Sequence, residues 1–167
     1  MIVAGQVIEP GEKRRIPIPV GEGLSLETVC FCGRRPGRTL VVTSGVHGCE
    51  YVGVETLTHL SEELDPEEMS GSLILLPLAN PGGFYEGVKR VVPEDGKNLN
   101  RAFPGDKAGS ISAQMAYAIE TYLYPAADFL ADLHGGDCCE ALTPLVFFPV
   151  AGEKKVNDKA LTAAREL

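Results

Sequence analysis

The chain contains no tryptophan, only three histidines, and no apolar run near the roughly 18 to 20 residues of a membrane span. Positive charge is scarce as well: 15 Lys and Arg stand against 23 Asp and Glu, a formal net charge of −8. That sign argues against non-specific binding to nucleic acid or to an anionic membrane, so neither is an expected partner. The opening MIVAGQVIEPGEKRR has no basic leader ahead of its apolar start and no small-residue cleavage site. It does not read as a secretory signal, and the expected location is cytoplasmic. There is no G-x-S-x-G elbow, no phosphate-binding glycine loop before a helix and no dinucleotide fingerprint. The five cysteines (30, 32, 49, 138 and 139) are odd in number, and two pairs are too close in sequence for ordinary disulfides, so reduced thiols are expected.

What is present describes an ordinary folded domain. At 167 residues the chain is about one domain long and can bury roughly two-thirds of its unfolded surface. Hydrophobic residues make up 44% and charged residues 23%, close to globular averages. The 19 glycines and 12 prolines promise substantial loops. Short strands are predicted over 2–8 and 13–20, another over 24–32, a turn over 33–37, and a buried strand over 38–44. From Glu50 the spacing of Val54, Leu57, Leu60 and Leu64 predicts a helix, stopped by Asp65-Pro66. SLILLPL after Gly71 predicts a second buried strand. Residues 79–109 show no periodicity and read as a long functional or mobile loop. Ile111, Met115, Ala118, Ile119 and Tyr122 predict a helix, 127–133 and 145–150 buried strands, and Lys155 onward a further helix. No internal repeat is evident. Strands alternating with helices imply an α/β fold: a mixed, largely parallel sheet with helices on both faces. The expected division is 1–37, N-terminal strands and a hairpin, packed on the main α/β part over 38–167.

Chemistry-bearing residues gather where strands end, the place where open α/β sheets bind ligands. Strand 38–44 is followed by Gly45-Val46-His47-Gly48-Cys49-Glu50, with His and Glu three residues apart and Gly48 leaving room for a tight backbone. Strand 127–133 is followed by His134-Gly135-Gly136. Two His and one carboxylate with an open fourth position is the pattern of a catalytic zinc. Either piece alone is common; both ending buried strands is the informative fact. His59, the third histidine, reads as a helix-surface residue. In the long loop, Asn100 beside Arg101 is a suitable clamp for a substrate carboxylate, because the guanidinium fork binds it bidentately.

HGCE, ANPGGFYEGVKR, DGKNLNRAFPG and DLHGG occur in the order found in the succinylglutamate desuccinylase/aspartoacylase family, of the zinc carboxypeptidase-like superfamily, which the chain resembles over roughly 38–150. The resemblance implies one Zn2+ per chain on His47, Glu50 and His134. It implies that Arg90 polarises the scissile carbonyl and holds the developing oxyanion, and that Asn100 and Arg101 bind a substrate carboxylate. The implied reaction is deacylation of an N-acyl amino acid or a related small, carboxylate-bearing amide by zinc-activated water. It also implies that the chain is the N-terminal, metal-binding part of a longer enzyme, with the general base beyond residue 167. A metallocarboxypeptidase shares this residue set, and a non-catalytic zinc- or ligand-binding module is the alternative if 167 residues is the natural length.

One departure bears on the metal. The family usually has Asp where this chain has Asn98, and that Asp accepts a hydrogen bond from the first metal-binding His. Asn98 can still accept, but without charge. Asp137 and Glu140, near His134, read as solvated loop carboxylates. Cys49 reads as a small buried filler, and the clusters at 13–15 and 34–38 as solvated hairpin tips.

Overall fold

Two consecutive residues with positive φ, Ala4 (46°) and Gly5 (76°), fold the first residues back on themselves. The two-residue turn they make suits a tight antiparallel hairpin. Instead of one strand over 2–8 there are therefore two short ones, β1 (Ile2–Val3) and β2 (Gln6–Val7). The computed structural model describes residues 1–21, 23–150 and 152–166.

The main sheet begins with β3 (Glu12–Gly21) and β4 (Leu24–Cys32), an antiparallel pair. Ile16, Ile18 and Val20 are buried while their neighbours face solvent, the period of two that a half-covered strand shows. The strand β5 (Arg35–Ser44) starts inside the expected 33–37 turn. Pro36 and Gly37 fit there because the pairing shifts between Arg35 and Thr39, and an irregular stretch tolerates a residue without an N–H. Helix α1 (Tyr51–Glu63) follows, then β6 (Ser70–Leu76), parallel to β5.

The 79–109 stretch contains α2 (Pro81–Tyr85), a 3-10 turn over Leu99–Arg101 and a bridge between Val92 and Lys97. It lacks periodicity because polar side chains fix it locally. Asn80 Oδ1 accepts from the Gly83 amide at 3.0 Å and Asn98 Oδ1 from the Asn100 amide at 2.9 Å. Helix α3 (Ile111–Tyr122), a second 3-10 turn (Tyr124–Ala126) and β7 (Phe129–Leu133) complete the sheet, whose order is β3-β4-β6-β5-β7. It is mixed: β6-β5 and β5-β7 pair in parallel, β3-β4 and β4-β6 antiparallel, so it is less parallel than expected.

Helices cover both faces. Met115, Ala116 and Ile119 of α3 pack with Ile16, Ile18, Cys30, Val41 and Ile74, while Leu57 of α1 packs with Val29, Phe31, Val42, Leu73 and Leu75. Each fully buried Leu, Ile or Met contributes about 1.5–3 kcal/mol of transfer free energy. Two expectations differ at the far side. The strand β7 is an edge and only half-buried, and 145–150 forms no strand: Phe147 is 90% exposed, and none of the described strands pairs with the segment. A β-rich composition does not make a strand without a partner. The last helix, α4 (Lys154–Arg165), buries no described residue. Among the described residues no helix is long and apolar enough to cross a membrane.

Candidate metal centre

The end of β5 turns sharply at Gly45, whose φ is 63°. The turn is held from beside it: the Ala79 amide donates to Ser44 O at 3.0 Å and the Asn80 amide to Gly45 O at 2.9 Å. Asn80, fully buried, also donates through Nδ2 to the carbonyl of Val91 at 3.1 Å. Gly48 lies against the backbone of Gly83, where a Cβ would come within 2.1 Å of the carbonyl carbon. Its lack of a side chain lets the two chain segments touch.

Glu50 takes the N-cap position of α1 without capping the helix through its side chain. Its carboxylate, only 10% exposed, instead meets both histidines. His47 Nδ1 lies 2.7 Å from Oε1, His134 Nδ1 lies 2.8 Å from Oε2, and the Gly135 amide donates to Oε2 at 3.1 Å. Among the described residues these three form the one group whose ligand atoms all lie within 4.8 Å of each other, a set that could hold a metal ion. The carboxylate sits at the positive end of α1.

The partners behind the rings settle which nitrogen is available. Asn98 Oδ1 accepts from the Asn100 amide, so the atom facing His47 Nε2 at 3.2 Å is an oxygen and Nε2 carries the proton. Asp132 Oδ2 lies 2.8 Å from His134 Nε2, which likewise donates. Both Nδ1 atoms then converge on the Glu50 oxygens, to which they donate, and each offers a lone pair once a metal takes the place of its proton. Two imidazoles, one carboxylate and a supporting acceptor behind each ring suit a divalent transition metal such as zinc. The hydrogen bond to Asp132, with the nearby charges of Asp132 and Glu50, pushes His134 up to about 9 against the opposing effect of burial. A metal must displace that proton.

The other predicted residues are placed differently. Asn100 is half-buried and, with Asp132, Phe103 and Tyr124, lines a cavity of about 140 Å³. Arg101 is exposed, its Nη1 donating to Asn100 O at 3.1 Å. Arg90 lies on the surface, its guanidinium 3.9 Å from Asp137. Asp137 departs from the solvated reading: its carboxyl is only 9% exposed and is flanked by Arg90 and by Lys89, at 3.6 Å. Glu140 is exposed and accepts from the Asp137 amide at 3.2 Å. Cys49 is buried, its thiol donating to Gly87 O at 3.2 Å, and burial pushes Cys30 up to about 11. His59 sits on the surface of α1, 2.9 Å from Glu55.

Two residues of the centre escaped the sequence reading. Asp132, in β7, is two positions before His134, just past the strand's end, the extended spacing that puts both side chains on one face; D-x-H at a strand end is the available signal. Asn80 directly precedes a proline at the first position of a helix, a capping signature.

Fold and centre together define an α/β protein with a candidate metal site at the C-terminal ends of parallel strands. The chain belongs to the succinylglutamate desuccinylase/aspartoacylase family, whose catalytic domain matches residues 36–166. It is 34% identical over 154 residues to the N-alpha-acetyl-L-2,4-diaminobutyric acid deacetylase of Halomonas elongata, covering 90% of this chain and 45% of that protein. An aspartoacylase family protein from Mesorhizobium loti has a similar crystal structure, with a TM-score of 0.67 and 36% identity, over 80% of this chain and 43% of that one. The product-bound ectoine utilization protein EutE (DoeB) of Ruegeria pomeroyi aligns with a TM-score of 0.60 and 31% identity, over 65% and 33%. The chain thus spans less than half the length of these relatives.

Proposed function

We propose that the chain carries the zinc-binding part of an amidohydrolase active site that removes the acyl group from an N-acyl amino acid or a related small amide bearing a carboxylate. The observation that carries this reading is the convergence of His47 Nδ1 and His134 Nδ1 on the two oxygens of Glu50. In it His47, Glu50 and His134 hold one Zn2+. Bound zinc supplies a Lewis acid for the acyl carbonyl and brings the pKa of its water towards neutrality. The fixed proton on each Nε2 keeps both rings facing the ion. Arg90, positioned beside Asp137, is the cation for the developing oxyanion, and Asn100 with Arg101 takes the substrate carboxylate. The Halomonas relative, a deacetylase of an N-acetylated amino acid, supports a substrate of this class.

The test pairs zinc binding with turnover by the protein as its source cell makes it, using N-acetyl and N-succinyl amino acids beside blocked dipeptides. We expect one zinc per chain and hydrolysis of an acylated amino acid, with Glu50→Ala losing zinc affinity by at least 100-fold, more than the loss of a merely supporting group causes. Cleavage of the dipeptides alone would make the protein a metallocarboxypeptidase. Zinc uptake without turnover would make it a binding module.

A further inference from the structure

The two histidines of the centre are backed by groups of different charge. Behind His47 stands the neutral amide of Asn98, at 3.2 Å; behind His134 stands the carboxylate of Asp132, at 2.8 Å. Asp132 is itself held in place. Its second oxygen accepts from the Thr43 hydroxyl at 2.6 Å, and Thr43 is its direct partner in the β5-β7 ladder. An aspartate tied to its neighbour strand in this way presents one defined oxygen to the ring. Its surroundings are partly apolar, since Phe103, Tyr124 and Leu130 share the adjoining cavity wall.

The charges make the arrangement more than a local contact. Two neutral imidazoles and Glu50 bring one negative charge to a dication. A carboxylate behind one ring brings the second, which balances the ion; a neutral amide behind the other ring adds none. A carboxylate hydrogen-bonded to a ligating imidazole also raises its basicity and fixes its tautomer.

We propose that Asp132 is the positioning residue of this centre: it holds His134 with Nδ1 turned to the metal and supplies the balancing charge that Asn98 does not give to His47. The proposal rests on the zinc-site reading above. Asp132, on strand β7, acts through His134, just past the strand's end and the one ligand that packing does not enclose: His134 is 33% exposed, against 12% for His47.

The test measures Zn2+ affinity of the metal-stripped protein by competition with a fluorescent chelator, in four forms: unaltered, Asp132→Asn, Thr43→Val, and the double variant Asn98→Asp/Asp132→Asn. Asp132→Asn keeps an acceptor oxygen and removes the charge, and it is expected to weaken zinc roughly 10- to 100-fold, with the melting temperature of the metal-free protein little changed. Thr43→Val breaks the inter-strand bond and leaves the carboxylate on His134, so its affinity should stay within about threefold of the unaltered chain, well below that range. The double variant places a carboxylate behind the other ring and should recover most of the loss. Failure of the unaltered protein to bind zinc would overturn the zinc-site reading itself. Binding by the unaltered protein with undiminished affinity in Asp132→Asn would overturn the role given to Asp132 alone. Equal losses in Asp132→Asn and Thr43→Val, or no recovery in the double variant, would do the same.

Discussion

The two corners that carry the candidate ligands are built on opposite principles. The 45–50 corner is closed by packing. Gly48 presses on the Gly83 backbone, Asn80 and Ala79 hold its carbonyls, and His47 and Glu50 are nearly buried. The 134–140 corner leaves an edge strand and is open at Gly135, beside the ligand, although Gly136 presses on Glu140 within its own loop. A Cβ on Gly135 would find nothing nearer than 3.8 Å, and the Cys138 amide, donating to Cys49 O at 2.9 Å, joins it to the other corner. Close-packed backbone fixes position by excluding alternatives. An open loop has to be fixed by directed polar contacts, here Asp132 and Glu50 on the two nitrogens of His134. The difference says where each kind of substitution should matter: volume at the first corner, charge at the second.

The largest effect should come from Gly48→Ala. A Cβ there would overlap the Gly83 carbonyl carbon and oxygen at 2.1 and 2.2 Å, both rigid backbone atoms. Overpacking against atoms that cannot rotate away costs about 3 kcal/mol. For a chain of this size that is a fall in melting temperature of roughly 6–12 °C. Since the loop must shift to make room, zinc affinity should fall in the same variant. Thermal unfolding of the metal-free protein, followed by zinc competition, checks both. A melting temperature within a degree of the unaltered chain would mean that the first corner is not held by packing.

A smaller effect, of opposite sign, is expected from Asn98→Asp. Asn98 is half-hidden behind His47, and its oxygen already accepts from both the ring and the Asn100 amide. An aspartate can make the same two contacts, so geometry should be kept while negative charge is added behind a candidate ligand imidazole. Zinc should bind about tenfold more tightly, about 1.4 kcal/mol. Affinity unchanged in chelator competition would show that charge behind His47 has no influence and that the first corner works by packing alone.

How much of this was legible in the sequence follows the same divide. The strands β4, β5 and β6 and the helices α1 and α3 could be read because burial leaves a regular trace: continuous apolar runs in sandwiched strands, and Leu57, Leu60 and Leu64 at helical spacing. The segment 145–150 carries the same apolar signature, yet strand formation depends on a partner that composition does not name. The α2 helix and the Leu99–Arg101 turn were illegible as elements because single side chains, Asn80 and Asn98, stand where a periodic pattern would otherwise be needed. At the centre, His47, Glu50 and His134 were readable since each interrupts an apolar pattern at a strand end. Asp132 lies within the 129–133 strand, where a polar residue on a half-exposed edge looks unremarkable until Thr43 and His134 are seen on either side of it.

The least effect is expected where the comparison is sharpest, at Gly135→Ala. Gly135 has no positive φ, and the atoms nearest a new methyl group would be Val52 Cβ at 3.8 Å and Glu50 Cβ at 3.9 Å, ordinary contact distances. The amide that donates to Glu50 Oε2 is retained. With no clash and no lost hydrogen bond, the remaining consequence lies in the unfolded chain, which alanine makes less free, a stabilisation of about 0.4–1 kcal/mol. The melting temperature should rise by roughly 1–4 °C and zinc affinity should stay within about twofold, since no ligand or backing group moves. Alanine at Gly48 and at Gly135 thus makes the same chemical change at the two corners with opposite expected signs. If Gly135→Ala were as damaging as Gly48→Ala, the second corner would also be held by close packing, and the carboxylate of Asp132 would no longer be needed to explain how His134 keeps its place.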